Sequence, residues 1–311
     1  MFKLFKKKLK VAIVGGCQAE GLAEATRHLI PHAVVSAWHA GVNPPDSPEA
    51  IVAKIKDFDL VLTQIGSGHG MPELEIDRLT GWHPNAHFMP TFVFSGFHPD
   101  LSYAFDSTGL INAVHSDFHS KIAVAGFLLG LSPQRTLSLY NGLIFTELGY
   151  FDVFPAARNA VESQLREMGF EIDGMIDGWL GQGEPFMYMT NHPAVRVLAA
   201  LAAQLYSRLG LIPRSAPLPE IEKDHLGESF TWPVYPALAA RIGARGSFDF
   251  KRPAWLTPAG ESRSLTMKQY LIDLFNFYDN VPRERLLVSP FLETVAKIEP
   301  LLVSGGSISA S

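Results

Sequence analysis

The chain has 311 residues, a formal net charge of -5, 47% hydrophobic and 18% charged residues, and a single cysteine. That length suits one large domain or two fused subdomains, and so acidic a balance argues against nucleic acid as a partner. One cysteine leaves no internal disulfide and no multi-cysteine metal site, which fits a reducing, cytoplasmic compartment. No apolar run reaches the ~20 residues that a membrane-spanning helix needs.

In chain order, residues 1–10 form a basic arm in which Phe2, Leu4 and Phe5 stand among five lysines. The arm lacks the long apolar stretch and small-residue cleavage site of a secretion signal. It reads either as a solvated tail or as a peripheral contact with the anionic inner face of the cytoplasmic membrane. Residues 11–110 read as an α/β subdomain. Apolar strand-like runs at 11–14, 33–38, 60–64 and 86–94 are separated by helix-like segments at 19–29, 47–56 and 71–79, with Ser47 placed to cap the second helix. Such alternation predicts a mostly parallel sheet. Its strand ends, at 15–18, 64–70 and 94–100, should open onto one edge, where ligands bind.

Residues 111–303 read as mainly helical. Apolar residues recur at helical spacing over 117–131, 133–148, 155–168, 193–209, 236–242, 265–278 and 290–302, several with proline near the first turn. Asp117 is a candidate N-cap for the first of these helices. The irregular stretches at 178–185 and 212–231 are of the kind that carry function or move. The closing residues, 304–311, read as a disordered tail.

The chemistry concentrates at turns. Cys17 follows Gly15 and Gly16 where the first strand meets the first helix, a place that exposes a side chain and lowers a thiol's pKa; the competing reading is a small buried hydrophobe. Four polar clusters accompany it: Gly66 to Gly70, Ser95 to Asp100, His115 to His119, and Asn191-His192-Pro193. A cysteine nucleophile needs a base, a group that orients the base, and donors for an oxyanion. His98 or His115 could be the base and Asp100 or Asp117 its orienter. Gln18, Asn191 or the backbone N–H groups after Gly16 could donate to the oxyanion. Thiolate and acyl donor together imply acyl transfer. Each cluster also has a structural reading: His98 and Asp100 as turn and cap residues, Ser67 and its glycines as a tight turn, and His119 as a surface or supporting side chain. A metal held by His115, Asp117 and His119 is a minor alternative, because a helix would bring only His115 and His119 together, and no metal is assigned.

Taken together, Gly15-x-Cys17-Gln18, Gly96-Phe97-His98-Pro99-Asp100, His115-x-Asp117 and Asn191-His192-Pro193, in this order, resemble the WcbI-type family of bacterial polysaccharide-biosynthesis acetyltransferases. The resemblance implies an α/β subdomain fused to a helical cradle for coenzyme A. It implies acetyl transfer from acetyl-CoA to a sugar hydroxyl of a capsular or exopolysaccharide, or of a sugar precursor, with possible contacts to the membrane or to capsule-assembly proteins. Carried onto this chain it makes Cys17, Gln18, His98, His115 and Asp117 the reaction centre, with Gly15, Gly16, Ser67, Asn191 and His192 along the cofactor pocket. Gly16 departs from the asparagine often found before the cysteine, which removes an amide donor. The phosphates of coenzyme A call for cations, for which Lys121 and Arg135 are candidates, with Lys251 and Arg252 further along. Two other functions stay open: an SGNH-like carbohydrate esterase, and a coenzyme A- or polysaccharide-binding subunit without activity of its own.

Overall fold

Residues 10–15, Lys-Val-Ala-Ile-Val-Gly, are apolar on both strand faces, the pattern of a strand buried inside a parallel sheet. In the computed structural model, which describes residues 8–41 and 44–305, they form the central strand β1 (Lys10–Gly15). The helix α1 (Ala19–Leu29) follows, then β2 (Val34–His39), α2 (Pro48–Ile55), β3 (Leu60–Thr63), α3 (Ile76–Thr80) and β4 (Ala86–Phe88). The four strands are all parallel and lie in the order β2-β1-β3-β4. Register sets Ile13 beside Ala37 and Leu62, so the strand ends of β1, β2 and β3 reach one edge together.

Ser47 caps α2 as its residue type predicts, accepting from the Ala50 amide at 3.3 Å. The segment at 71–79 is not one helix: a single 3-10 turn at Pro72–Leu74 ends before α3 begins. The fourth strand stops at Phe88 rather than running to 94. Pro90 has no N–H to continue a ladder, and Phe94 instead donates to the Thr190 carbonyl at 2.8 Å.

The described chain divides into two compact units, one of residues 1–93, 162–179 and 191–227 and the other of residues 94–161, 180–190 and 228–311. In sequence order the sheet half ends near residue 110, whereas in space residues 162–179 and 191–227 belong with the sheet. In the first unit the helix Val195–Arg208 packs along α1. The two approach closely at Gly21, where a Cβ would stand 2.9 Å from Leu198 Cδ1, and the Thr26 and Tyr206 hydroxyls share a 2.6 Å hydrogen bond.

The second unit is helical with small antiparallel pairs, so β structure does not end with the sheet. Leu101–Ser102 pairs with His119–Ser120, Ala104–Asp106 with Gly109–Ile111, and Asp249–Lys251 with Ser264–Thr266. The short pair at His119–Ser120 delays the first helix to Lys121–Leu128, and Ser120, not Asp117, is its N-cap, accepting from the Ala123 amide at 3.0 Å. The stretch at 133–148 is two helices, Pro133–Leu137 and Gly142–Glu147. The helices Met267–Tyr278 and Ser289–Gly305 close the unit. No helix among the described residues is long and apolar enough to cross a membrane. Most of the basic arm and nearly all of the 304–311 tail lie outside the described residues.

Candidate functional site

In the first unit the site is built on the turn after β1. Gly15 and Gly16 carry the chain from the strand into α1, and a Cβ on Gly15 would collide with the side-chain amide of Gln64 at the end of β3. Beside Gly16, by contrast, a Cβ would meet nothing within 4 Å. Cys17 is half-buried at this turn. Its Sγ lies 3.8 Å from the Asn191 carbonyl oxygen, and the Asn191 side-chain Nδ2 donates to Sγ at 3.9 Å. Two residues 174 positions apart in the chain are thereby brought together.

Gln18 is placed at the same turn but is fully committed. Its Nε2 donates to the carbonyls of Phe92 at 2.7 Å and of Asn191 at 2.9 Å, and its Oε1 accepts from the Phe92 amide at 3.0 Å. Both amide hydrogens are used, so Gln18 has none left for an oxyanion. It ties the 92 and 191 segments to the cysteine turn, where the Asn191 amide donates to Sγ.

Other residues of this unit divide between the site and the surface. His192 follows Asn191, and burial pushes its imidazole pKa down to about 4, so it is neutral. Ser67 is exposed and donates to the Asp77 carboxylate, which fits its tight-turn reading. Gln64 went unnoticed in the sequence. It is buried, and neither Nε2 nor Oε1 has a hydrogen-bond partner among the described residues, which marks it as a polar group awaiting one. Its signal was position alone, the first residue past an apolar strand. A separate cleft of about 610 Å³ is lined by Met175, Gln204, Arg208 and Arg214 among others. Its arginines are already engaged, Arg208 by the Met168 and Gly169 carbonyls and Arg214 by Glu171.

In the second unit the Ser95 to Asp100 segment is anchored by an aromatic cluster. The Phe94, Phe97 and Phe186 rings lie 4.8–5.4 Å apart, and Gly96 is held so close to Phe154 that a Cβ would stand 3.0 Å from its Cα. His98 is 2% exposed. Its Nε2–H donates to the Trp232 carbonyl at 3.0 Å, and Nδ1 has no hydrogen-bond partner among the described residues. Burial pushes its pKa down to about 4, partly opposed by that hydrogen bond, so the ring is neutral.

Asp100 does not orient His98. It is fully buried and accepts from Ser120 Oγ at 2.5 Å, the Tyr150 and Tyr235 hydroxyls at 2.9 Å each, and the Ile122 amide at 3.0 Å. Asp117 is exposed, and the carboxylate that meets His115 is Asp273, at 3.0 Å from Nε2. His119 is not a surface residue. It is fully buried, with Nε2 on the Ile111 carbonyl and Nδ1 on the Tyr278 hydroxyl, which takes both ring nitrogens away from any metal. Among the described residues the one metal-ligand cluster is Glu20, Glu24 and His225, and Arg27 already binds both carboxylates. Lys121 is not a free surface cation. Its Nζ lies 5.1 Å from the Tyr150 ring centre, and burial lowers its pKa against the pull of Asp100 and Glu293. Arg135 is exposed near the start of the helix Pro133–Leu137.

A parallel sheet whose central strand ends in a glycine turn and a thiol defines an α/β protein of the class whose ligands bind at the carboxyl edge of the sheet. Residues 10–214 match the family profile of the polysaccharide biosynthesis enzyme WcbI. The chain therefore belongs to the WcbI family of polysaccharide biosynthesis enzymes. A solved structure of WcbI shares 15% sequence identity with it over 94% of this chain and 99% of that one, with a TM-score of 0.71, so the folds correspond. That structure is described as a native protein without a disulfide bond between coenzyme A and a cysteine. No curated protein matches the chain.

Proposed function

We propose that this protein is a coenzyme A-dependent acyltransferase that moves an acetyl group from acetyl-CoA to a sugar hydroxyl of a bacterial capsular or exopolysaccharide or its precursor. The observation that carries the reading is the thiol of Cys17, held at the β1 turn with the Asn191 amide donating to its sulfur. Open space beside Gly16 gives a narrow thioester arm room to approach that thiol. The coenzyme A named for the structural relative supports the choice of acyl carrier.

When bound, acetyl-CoA supplies an acyl group activated as a thioester. The Asn191 side-chain amide donates to the Cys17 sulfur while the thiol donates to the Asn191 carbonyl, and Gln18 holds Asn191 in place through the same carbonyl. His192 stays neutral beside them and adds no competing charge. In the covalent route the Cys17 sulfur bonds to the acyl carbon as the carbon–sulfur bond of the donor breaks, and the thiol's proton ends on the departing coenzyme A. A histidine, His98 or His115, then takes the proton of the acceptor hydroxyl as its oxygen bonds to the acyl carbon and the acyl–Cys17 bond breaks, and the proton passes to the leaving sulfur. A cytoplasmic setting, at the membrane's inner face, suits a soluble acyl donor.

Cys17→Ala and Cys17→Ser both test the covalent route. We expect each to abolish acetyl transfer while calorimetry still shows coenzyme A binding within about threefold of wild type, because only a reacting atom is lost. Normal turnover by Cys17→Ala removes the covalent route. Absence of any coenzyme A or acetyl-CoA binding by the wild-type chain removes the acyltransferase reading itself.

A further inference from the structure

His115 and Asp273 lie 158 residues apart in the chain and 3.0 Å apart in the second unit. Asp273 is no casual surface carboxylate. Its Oδ1 accepts from Gln269 Nε2 at 2.8 Å, one turn earlier on the helix Met267–Tyr278, which leaves Oδ2 turned to the imidazole. The ring is fixed from its face as well. It stacks on Phe230 with centres 5.4 Å apart and planes within 5°, and it lies 6.1 Å from the Tyr270 ring. Phe230 and Tyr270 are themselves buried and stack on Phe250. A ring held both by its face and by one nitrogen has one orientation. Yet 17% of the His115 side chain remains accessible, whereas His98 is sealed.

We propose that Asp273 is the positioning residue for His115 and that this pair, rather than His98, supplies the general base. The inference rests on the acyltransferase reading. A carboxylate on Nε2–H holds neutral imidazole in the tautomer whose lone pair is on Nδ1, and it stabilises the imidazolium once a proton arrives. In the step this pair serves, the acceptor hydroxyl gives its proton to Nδ1. The hydroxyl oxygen bonds to the acyl carbon as the carbon–sulfur bond breaks, and the proton passes to the sulfur that leaves. Among the described residues the groups in contact with the ring are Asp273 and Tyr270 from the Met267–Tyr278 helix and Phe230, with Gln269 behind Asp273. Tyr270 has its pKa raised well above the ordinary value by burial, so Asp273 is the one charge among them.

The test joins nuclear magnetic resonance of the His115 ring nitrogens in the full chain, without substrate, which reads the tautomer, to the kinetics of turnover. In Asp273→Asn the Nδ1 lone-pair tautomer of His115 should lose its dominance. The rate of acetyl transfer should drop about 10- to 100-fold with KM for acetyl-CoA unchanged. Gln269→Ala, on an exposed part of the helix, should produce a smaller change of tautomer in the same direction and guards against misfolding of the first variant. A His115 tautomer unchanged in Asp273→Asn would overturn the pairing, as would a changed tautomer with unchanged turnover. A wild-type chain that shows the pairing but transfers acetyl to no sugar acceptor would sink the acyltransferase reading instead.

Discussion

Asp100 shows how a residue of apparent catalytic type can be structural. Four donors converge on its two oxygens, from Ser120, Tyr150, Tyr235 and the Ile122 amide. Removing the carboxylate strands the Tyr150, Tyr235 and Ile122 donors in the core of the second unit, while Ser120 keeps the Tyr140 hydroxyl, and each unsatisfied group costs roughly 1–3 kcal/mol before relaxation. Asp100→Ala should therefore lower the unfolding free energy by about 3–5 kcal/mol, read from urea melts, and much of that loss should appear in Tyr150→Phe combined with Tyr235→Phe. An Asp100→Ala chain as stable as wild type would return the residue to the list of catalytic candidates. At this scale the sequence identifies types and the structure assigns partners. His115 was legible as a candidate base, but Asp117, two residues away, was not its partner and Asp273 was.

At the scale of elements, local chemistry was a sound guide where the signal was local. Ser47 before Pro48, and the apolar run 10–15, specify their own cap and strand. The fourth strand and the helix after Asp117 came out shorter because pairing partners decided their ends: Pro90 breaks the ladder, and residues 119–120 pair with 101–102 before the helix begins. Packing between elements is equally exacting. Gly126, in the helix Lys121–Leu128, faces Thr136 so closely that an added Cβ would stand 3.0 Å from the Thr136 Cβ and nearer still to its hydroxyl. Alanine gains about 1 kcal/mol of helix propensity, but overpacking a fully buried contact costs typically 1–3 kcal/mol. We expect Gly126→Ala to lower Tm by roughly 2–5 °C in calorimetry; a rise in Tm would mean the two helices separate easily.

For the whole molecule, pH is the lever that reaches both units. His192 in the first unit and His98 in the second are held neutral, with pKa values pushed down to about 4 from the ordinary 6.5. The unfolded chain takes up protons on these rings below about pH 6.5, while the folded chain does so only near pH 4, so stability is lost as pH falls through that window. Each ring contributes up to roughly 2–3 kcal/mol. Calorimetric Tm should fall steadily from pH 7 to 4, and a flat Tm over that range would contradict the burial of these rings. The same two histidines were visible in the sequence as cluster members, but nothing in their neighbours revealed that burial, not a nearby charge, sets their protonation.

By itself the sequence determined the strand-glycine-cysteine turn, the α/β alternation that places it at a sheet edge, and the family that carries these motifs in this order. Each of these depends on neighbours in the chain: apolar periodicity, turn glycines and motif spacing. Only the tertiary structure decided that Gln18 is spent on Phe92 and Asn191, that Asn191 touches Cys17, that Asp100 binds hydroxyls, and that Asp273 meets His115. Those pairings join residues 20 to 174 positions apart, and a hydrogen bond is set by atoms within about 3 Å, a distance that chain order does not encode.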